Sequence, residues 1–239
     1  MQLLDLTLET AAENVALDEA LLEEAEAAGE ASEVLRLWES PQPAVVLGRS
    51  SKATSETNLD ACRSLGVPII RRASGGAAIV AGPGCLMYAV VLSYEQRPTL
   101  RSLDQAHGFV LATMLAGLRT LVPDAQRQGT SDLTLGEYKF SGNAVRCKRG
   151  HLLYHGTLLY DFSLPMVSQF LGAAPRQPDY RSGRAHESFI ANLPVSGPAL
   201  RAAVAAAWQP ESERRDWPGD RVRQLVAEKY SQEEWSFKS

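Results

Sequence analysis

The chain has 239 residues, of which 45% are hydrophobic and 22% charged, and carries a formal net charge of −4. That length suits one large domain, the composition is ordinary for a globular protein, and the charge gives no overall pull towards nucleic acid. No run of 18 apolar residues is present and the first ten residues carry acids rather than a basic leader, which argues against a membrane span or a secretory signal and for a cytoplasmic location. Ala16, Leu17, Ala20, Leu21, Glu24 and Ala25 recur at helical spacing, and Gly29 stops that helix. Two short apolar runs, 34–38 and 44–47, flank the Pro41-Gln42-Pro43 turn and read as strands. Residues 59–65 read as a short helix ended by Gly66, and 67–71 as a strand. A Gly/Ala-rich loop leads into a strongly apolar strand, 86–92. Ser102 and Gln105 have the spacing of a capping box ahead of a helix over about 103–121. Strands follow at 132–135, 139–146 and 152–161, then a helix at 165–171 and a polar, basic loop at 176–187. Helices at 199–208 and 221–230 close the chain. Strands in the first two-thirds with helices around them predict an α+β fold with a mixed, mainly antiparallel central sheet.

Three segments carry candidate chemistry. In Arg71-Arg72-Ala73-Ser74-Gly75-Gly76-Ala77-Ala78, two successive positions lack side chains. Such a backbone admits a ligand closely and can aim its N–H groups at phosphate or carboxylate oxygens, with arginines beside it. The same pattern also fits a tight turn with solvated arginines. In Lys139-Phe140-Ser141-Gly142-Asn143-Ala144, a lysine heading a strand could point a cation into a cleft, or sit exposed at a sheet edge. Asp132, seven residues earlier, could hold a metal, orient an amine or end a turn. In Tyr154-His155-Gly156-Thr157-Leu158-Leu159, the histidine fits a catalyst less readily than a satisfied core residue. Together the three place small and polar residues where packing alone favours larger apolar ones.

The segments also occur in an order that resembles the lipoate–protein ligase A family, within the biotin/lipoate ligase and octanoyltransferase superfamily. Residues 14–21, Asn-Val-Ala-Leu-Asp-Glu-Ala-Leu, are similar to its first-helix signature. Val46-Leu47-Gly48-Arg49 followed by residues 71–76 resembles its Arg-Arg-x-Ser-Gly-Gly-Gly loop. Residues 129–133 with 139–144 resemble its Asp-Leu segment and lysine motif, and 155–159 the strand that closes the pocket. The resemblance implies one catalytic domain over 1–239, with its core at about 10–193 and a helical tail at 198–239. It also implies a two-step reaction. Lipoate or octanoate and ATP, with Mg²⁺, give an acyl-adenylate. A lysine of the lipoyl domain of a 2-oxoacid dehydrogenase, or of a glycine-cleavage carrier protein, then takes the acyl group. Lys139 would be the catalytic residue, stabilising negative charge in both steps. Arg71, Arg72, Ser74, Gly75, Gly76, Ala77, Ala78, Ser141, Gly142, His155, Gly156 and Thr157 would line the substrate and adenylate site. Asp132 would act on Mg²⁺ or on the incoming amine, and apolar strands including 86–92 would wall the acyl chain.

Some positions depart from the family pattern. The third loop glycine is Ala77, the His-Asp after the loop is Ala81-Gly82, and an expected asparagine is Cys85. These changes lean towards the octanoyl-transfer branch, which moves acyl groups between carriers without ATP. Its cysteine-dependent members carry a nucleophile just before the Asp-Leu segment, where this chain reads Gln126-Arg127-Gln128-Gly129. Cys62, Cys85 and Cys147 are scattered, with no Cys-x-x-Cys pair, so neither a zinc site nor a disulfide framework is expected. Cys85 reads as a small buried hydrophobe. No accessory C-terminal domain of the larger ligases is expected, and in some short relatives a separate chain supplies one. The loop at 176–184 is the segment expected to move. A non-catalytic lipoate- or carrier-binding module is a third reading, opposed by the retention of Lys139, Ser74 and the glycine loop.

Overall fold

Two nine-residue strands, Cys85–Ser93 and His151–Leu159, form the centre of the molecule and are buried at every position. They pair antiparallel from Cys85 opposite Leu159 to Ser93 opposite His151. Total burial favours apolar residues on both faces, as along the first of these strands, while the second also buries His151, His155 and Thr157.

The computed structural model describes residues 1–29, 31–172 and 177–238. Its elements run β1 (Gln2–Asp5), α1 (Ala11–Ala28), β2 (Val34–Glu39), β3 (Ala44–Leu47), α2 (Ala53–Glu56), α3 (Leu59–Ser64), β4 (Ile69–Arg71), β5 (Ile79–Ala81) and β6 (Cys85–Ser93). They continue with α4 (Leu103–Leu118), β7 (Ala125–Gln128), β8 (Asp132–Leu135), β9 (Tyr138–Ser141), β10 (Asn143–Cys147) and β11 (His151–Leu159). Last come α5 (Pro165–Phe170), α6 (Gly197–Trp208), β12 (Ser212–Glu213), α7 (Gly219–Leu225) and α8 (Glu233–Ser236). The main sheet has the order β10-β11-β6-β2-β1-β12, and smaller sheets have the orders β4-β3-β5 and β7-β8-β9. Most pairings are antiparallel; β1 pairs parallel with β2 and β12, and β3 with β4. The expected α+β fold with a mixed, mainly antiparallel sheet is the one observed.

The period of two along the central strands sorts their side chains into two cores. Met87, Ala89, Val91 and Leu153 face α1 and the β4-β3-β5 sheet. Leu86, Tyr88, Val90, Leu92 and Tyr154 face α4 and α6. Helix α1 begins with a reciprocal capping box: Thr10 Oγ1 accepts from Glu13 N at 3.2 Å, and Glu13 Oε2 accepts from Thr10 N at 2.9 Å. It ends at Gly29 in the left-handed region, φ 64°.

Several expectations are corrected. Ser102 makes no side-chain capping bond, so the box expected there does not form. The single strand expected over 139–146 is broken at Gly142 into β9 and β10, which belong to different sheets. The tail is not purely helical, since β12 extends the main sheet and 221–230 passes from α7 into a π-helical turn, Val226–Tyr230. β1, β5, β7, β12 and α2 were not legible, being two to four residues long with no room for a period. Arg176, at the start of the expected basic loop, lies outside the described residues, and Asp179–Arg181 within that loop forms a 3₁₀ turn.

Candidate active site

A cavity of about 230 Å³ opens where α1, the loop after β4, and strands β6, β9, β10 and β11 converge. One part of its wall is apolar, from Val15, Trp38, Val46, Ile79 and Met87. The rest is polar and includes Asp18, Asp132, Lys139, Asn143 and His155. A larger cavity of about 840 Å³ lies between Pro41–Pro43, α3 and the C-terminal turn, but none of the expected site residues lines it. Chemistry, rather than size, identifies the site.

Lys139 stands on β9 with its Nζ 2.8 Å from Asp132 Oδ1 on β8. The other carboxylate oxygen of Asp132 accepts from Tyr180 Oη at 2.7 Å. Burial, reinforced by the Asp132 charge, raises the Tyr180 phenol well above its ordinary value. A Cβ at residue 142 would lie 3.1 Å from Lys139 Nζ and Cε, so the glycine of the lysine motif makes room for the ammonium. Asn143, not singled out from the sequence, holds this corner together. Its Nδ2 donates to Ser131 O at 2.6 Å and to Ser141 Oγ at 3.1 Å, and its Oδ1 accepts from Tyr88 Oη.

The loop after β4 is shaped by Arg72. Its guanidinium donates to Val46 O at 3.1 Å, Gly75 O at 2.5 Å and Ala77 O at 3.0 Å, and its Nε donates to Ser74 Oγ at 3.1 Å. Burial brings its pKa down to about 10, opposed by the charge of Glu56. The N–H groups of Gly75, Gly76 and Ala77 have no acceptor among the described residues, and holding the Gly75 carbonyl fixes the Gly76 N–H, which lies trans to it on the same peptide. These are the donors an anion would meet. Gly76 sits at φ 89°, where a side chain is strained, whereas Ala77 is not at positive φ, so alanine at the family's third glycine costs no backbone strain. Glu56 on α2 holds the loop exit, accepting from Ala78 N at 3.0 Å.

Behind the loop runs a buried polar line. Ser74 Oγ lies 2.6 Å from His155 Nε2, His155 Nδ1 lies 3.1 Å from Asp18 Oδ2, and Asp18 Oδ1 pairs with Arg36 Nη1 at 2.6 Å. His155 is there because it shares a face of β11 with Leu153, the face towards α1. Asp18 and Trp38 are further cavity residues that sequence reasoning missed. Asp18 was visible inside the first-helix motif, but nothing local to it pointed to residue 155.

The structure brings together Arg72, Gly76, Ala77, Ala78, Asp132, Lys139, Gly142, His155, Gly156 and Thr157 around the cavity. Ser74 and Ser141 lie buried just behind its wall, and Gly75 is exposed beside Gly76 in the loop. Arg71 is a correction: it points away, fully buried, and donates to Gly48 O, Ser51 O, Trp235 O and Ser236 O. Its neighbour in sequence faces the other side because successive residues of an extended chain alternate. Arg72 lines the cavity and also shapes the loop. Asp132 does not build a magnesium site by itself. Both of its oxygens are engaged, an ammonium lies 2.8 Å away, and no group of three His, Cys, Asp or Glu side chains suited to a metal occurs among the described residues. Cys85 is fully buried, and burial pushes its thiol up to about 12. Cys147 is exposed at the far end of β10, about 13 Å along the strand from Asn143. No described helix is long and apolar enough to cross a membrane.

A lysine–aspartate pair and a glycine loop lining one cavity on a mixed sheet of this order make up the fold of a lipoate protein ligase. The chain belongs to the family described as lipoyl protein ligase A/B catalytic domain, which it matches over residues 10–199. It is 34% identical over 146 residues to a putative lipoate-protein ligase A of Aeropyrum pernix, a match covering 61% of this chain and 52% of that protein. The chain thus spans about half the length of the first curated relatives it matches. It is 28% identical to the octanoyltransferase LipM of Symbiobacterium thermophilum over 99% of this chain and 98% of that one. Among solved structures, a bi-partite lipoate protein ligase described with its E2 lipoyl domain, from Thermoplasma acidophilum, superposes with a TM-score of 0.81 at 25% identity, covering 99% and 95% of the two chains.

Proposed function

We propose that this chain activates lipoate or octanoate with ATP as the acyl-adenylate and transfers the acyl group to a lysine of a lipoyl carrier domain. The observation that carries the proposal is the placement of Lys139 and Asp132 beside a partly apolar cavity that also meets the open N–H groups of the glycine loop. A carboxylate is a poor acyl donor until a good leaving group is attached. In this reading the alkyl chain lies against Val15, Trp38, Val46, Ile79 and Met87, and the loop N–H groups and Lys139 face the carboxylate and phosphate. The Lys139 charge stabilises negative charge on the acyl and phosphate oxygens in the transition states. In the second step Asp132, released by Tyr180, orients the carrier lysine and takes its proton. The amine attacks the acyl carbon, the new C–N bond forms and AMP leaves. Magnesium enters with the nucleotide phosphates rather than in a cage built by this chain. The carrier is the lipoyl domain of a 2-oxoacid dehydrogenase or a glycine-cleavage carrier protein. A separate accessory chain is part of the proposal, as the bi-partite description of the Thermoplasma ligase supports.

A second reading, ATP-independent octanoyl or lipoyl transfer between carriers, is favoured by the near full-length match to octanoyltransferases. A cysteine route within it is opposed by the buried, raised thiol of Cys85 and the distant Cys147. The test measures pyrophosphate release with MgATP and lipoate beside acylation of a lipoyl domain from an octanoyl-carrier thioester without ATP. The ligase reading expects pyrophosphate stoichiometric with acylation, slow for the chain alone and fast from preformed acyl-adenylate. ATP-independent transfer with no pyrophosphate moves the protein to the transferase branch.

A further inference from the structure

We propose that Asp18 and His155 are positioning residues that, through Ser74, fix the glycine loop in its anion-binding form; the proposal rests on the functional reading above. The hydrogen-bond directions along the line follow from donor chemistry. The Asp18 carboxylate can only accept, so His155 Nδ1 donates to it across 3.1 Å. Arg72 Nε can only donate, so Ser74 Oγ accepts it at 3.1 Å; with His155 neutral and its proton on Nδ1, the serine proton goes to His155 Nε2, 2.6 Å away. The line is anchored at its far end by Arg36, whose Nη atoms also donate to Asn14 O, Asn14 Oδ1 and Leu6 O. Each group therefore has one orientation, set by the next.

The distances are those of a serine nucleophile with its base and orienting acid. The placement is not. Ser74 is 1% exposed and sits behind the cavity wall, and its oxygen is engaged by both Arg72 and His155. What the line controls is Arg72. With Nε held by Ser74, the guanidinium plane is fixed and its Nη2 reaches the carbonyls of Gly75 and Ala77. The bond to the Gly75 carbonyl turns the Gly76 N–H, on the same peptide, the opposite way, and the bond to the Ala77 carbonyl does the same for the Ala78 N–H, which Glu56 holds. Asp18 and His155 also line the cavity, so the parts that set the loop share a wall with the site it serves. Without Ser74 or His155 the Arg72 head regains freedom, and the loop must be ordered by the ligand at a cost in affinity.

The test uses the full chain and a sulfamoyl analogue of octanoyl-adenylate, which binds without transferring. Ser74→Ala and His155→Phe are each expected to weaken its binding about tenfold, the scale of one hydrogen bond in a charged network. The double variant is expected to be no weaker than the worse single one, because groups acting as one unit are not additive. Ser74→Thr, which restores the hydroxyl, returns affinity to within about threefold. In the free protein, the proton NMR signal of His155 Nδ1–H is expected to be protected from exchange and to lose that protection in Ser74→Ala. If His155→Phe fails to fold, the Ser74 pair decides alone. Additive losses, an unchanged affinity with a slowed transfer step, or an octanoyl ester on Ser74 in the mass spectrum would overturn the proposal. A wild-type chain that binds the analogue but transfers nothing removes the functional reading, and the affinities and the NMR signal then still judge the loop mechanism.

Discussion

The two faces of the main sheet are built on opposite principles. Towards α4 and α6 the packing is almost wholly apolar: Val110, Leu111, Met114 and Leu118 are fully buried against Leu86, Val90 and Leu92. Its buried polar groups include His107, whose Nδ1 lies 2.8 Å from Tyr154 Oη. Towards α1 the same strands bury a charged line, Arg36–Asp18–His155–Ser74, beside the cavity. Burying charge in a core is costly unless each group is paired, and hydrophobic replacements often stabilise. The polar face is thus not the better solution for stability. The polar line lies where the cavity needs oriented donors, and buried apolar side chains on both faces hold the sheet.

Substitutions can separate the two roles. The largest effect is expected from Asp18→Ala, which leaves Arg36 buried without its carboxylate. About 3–5 kcal/mol of stability should be lost, read by chemical denaturation, with acyl transfer failing as well. Loss of activity at unchanged stability would show that the α1 face is no more strained than the other. Next is Lys139→Ala, expected to slow transfer from preformed acyl-adenylate by about a hundredfold to a thousandfold, with thermal unfolding little changed. A variant that transfers at the wild-type rate would remove Lys139 from the chemistry. The smallest is Val110→Ala on the apolar face, expected to cost about 1.5–2 kcal/mol while transfer at permissive temperature is unaltered. A change in the kinetic constants of the folded variant would show that the two faces are coupled.

The motifs were legible because their spacing is local. Lys139 and Gly142 are neighbours on one bend, and the loop glycines follow β4 directly. The long strands were legible by their apolar runs, 86–92 in β6 and 152–154 with 158–159 in β11, which total burial favours. The short strands were not, since β12 spans two residues and owes its existence to pairing with β1, some 210 positions away. Arg71 and Arg72 could not be told apart by sequence, because both belong to one motif and carry the same group. Only the fold showed that Arg71 holds backbone carbonyls of the C-terminal segment, 164 or more positions on, while Arg72 holds its own loop.

By itself the sequence determined the α+β class, the order of the main elements, the lysine motif and the glycine loop. The class and the element order rest on local backbone preference and on the periodicity with which a chain presents its apolar side; the lysine motif and the glycine loop rest on their resemblance to a known family. The tertiary structure alone decided which polar groups meet: Asp18 with His155 across 137 positions, Trp235 with Arg71 across 164, and Tyr180 with Asp132 across 48. A hydrogen bond depends on distances of about 3 Å and on direction, and those are fixed only when distant segments are packed against one another.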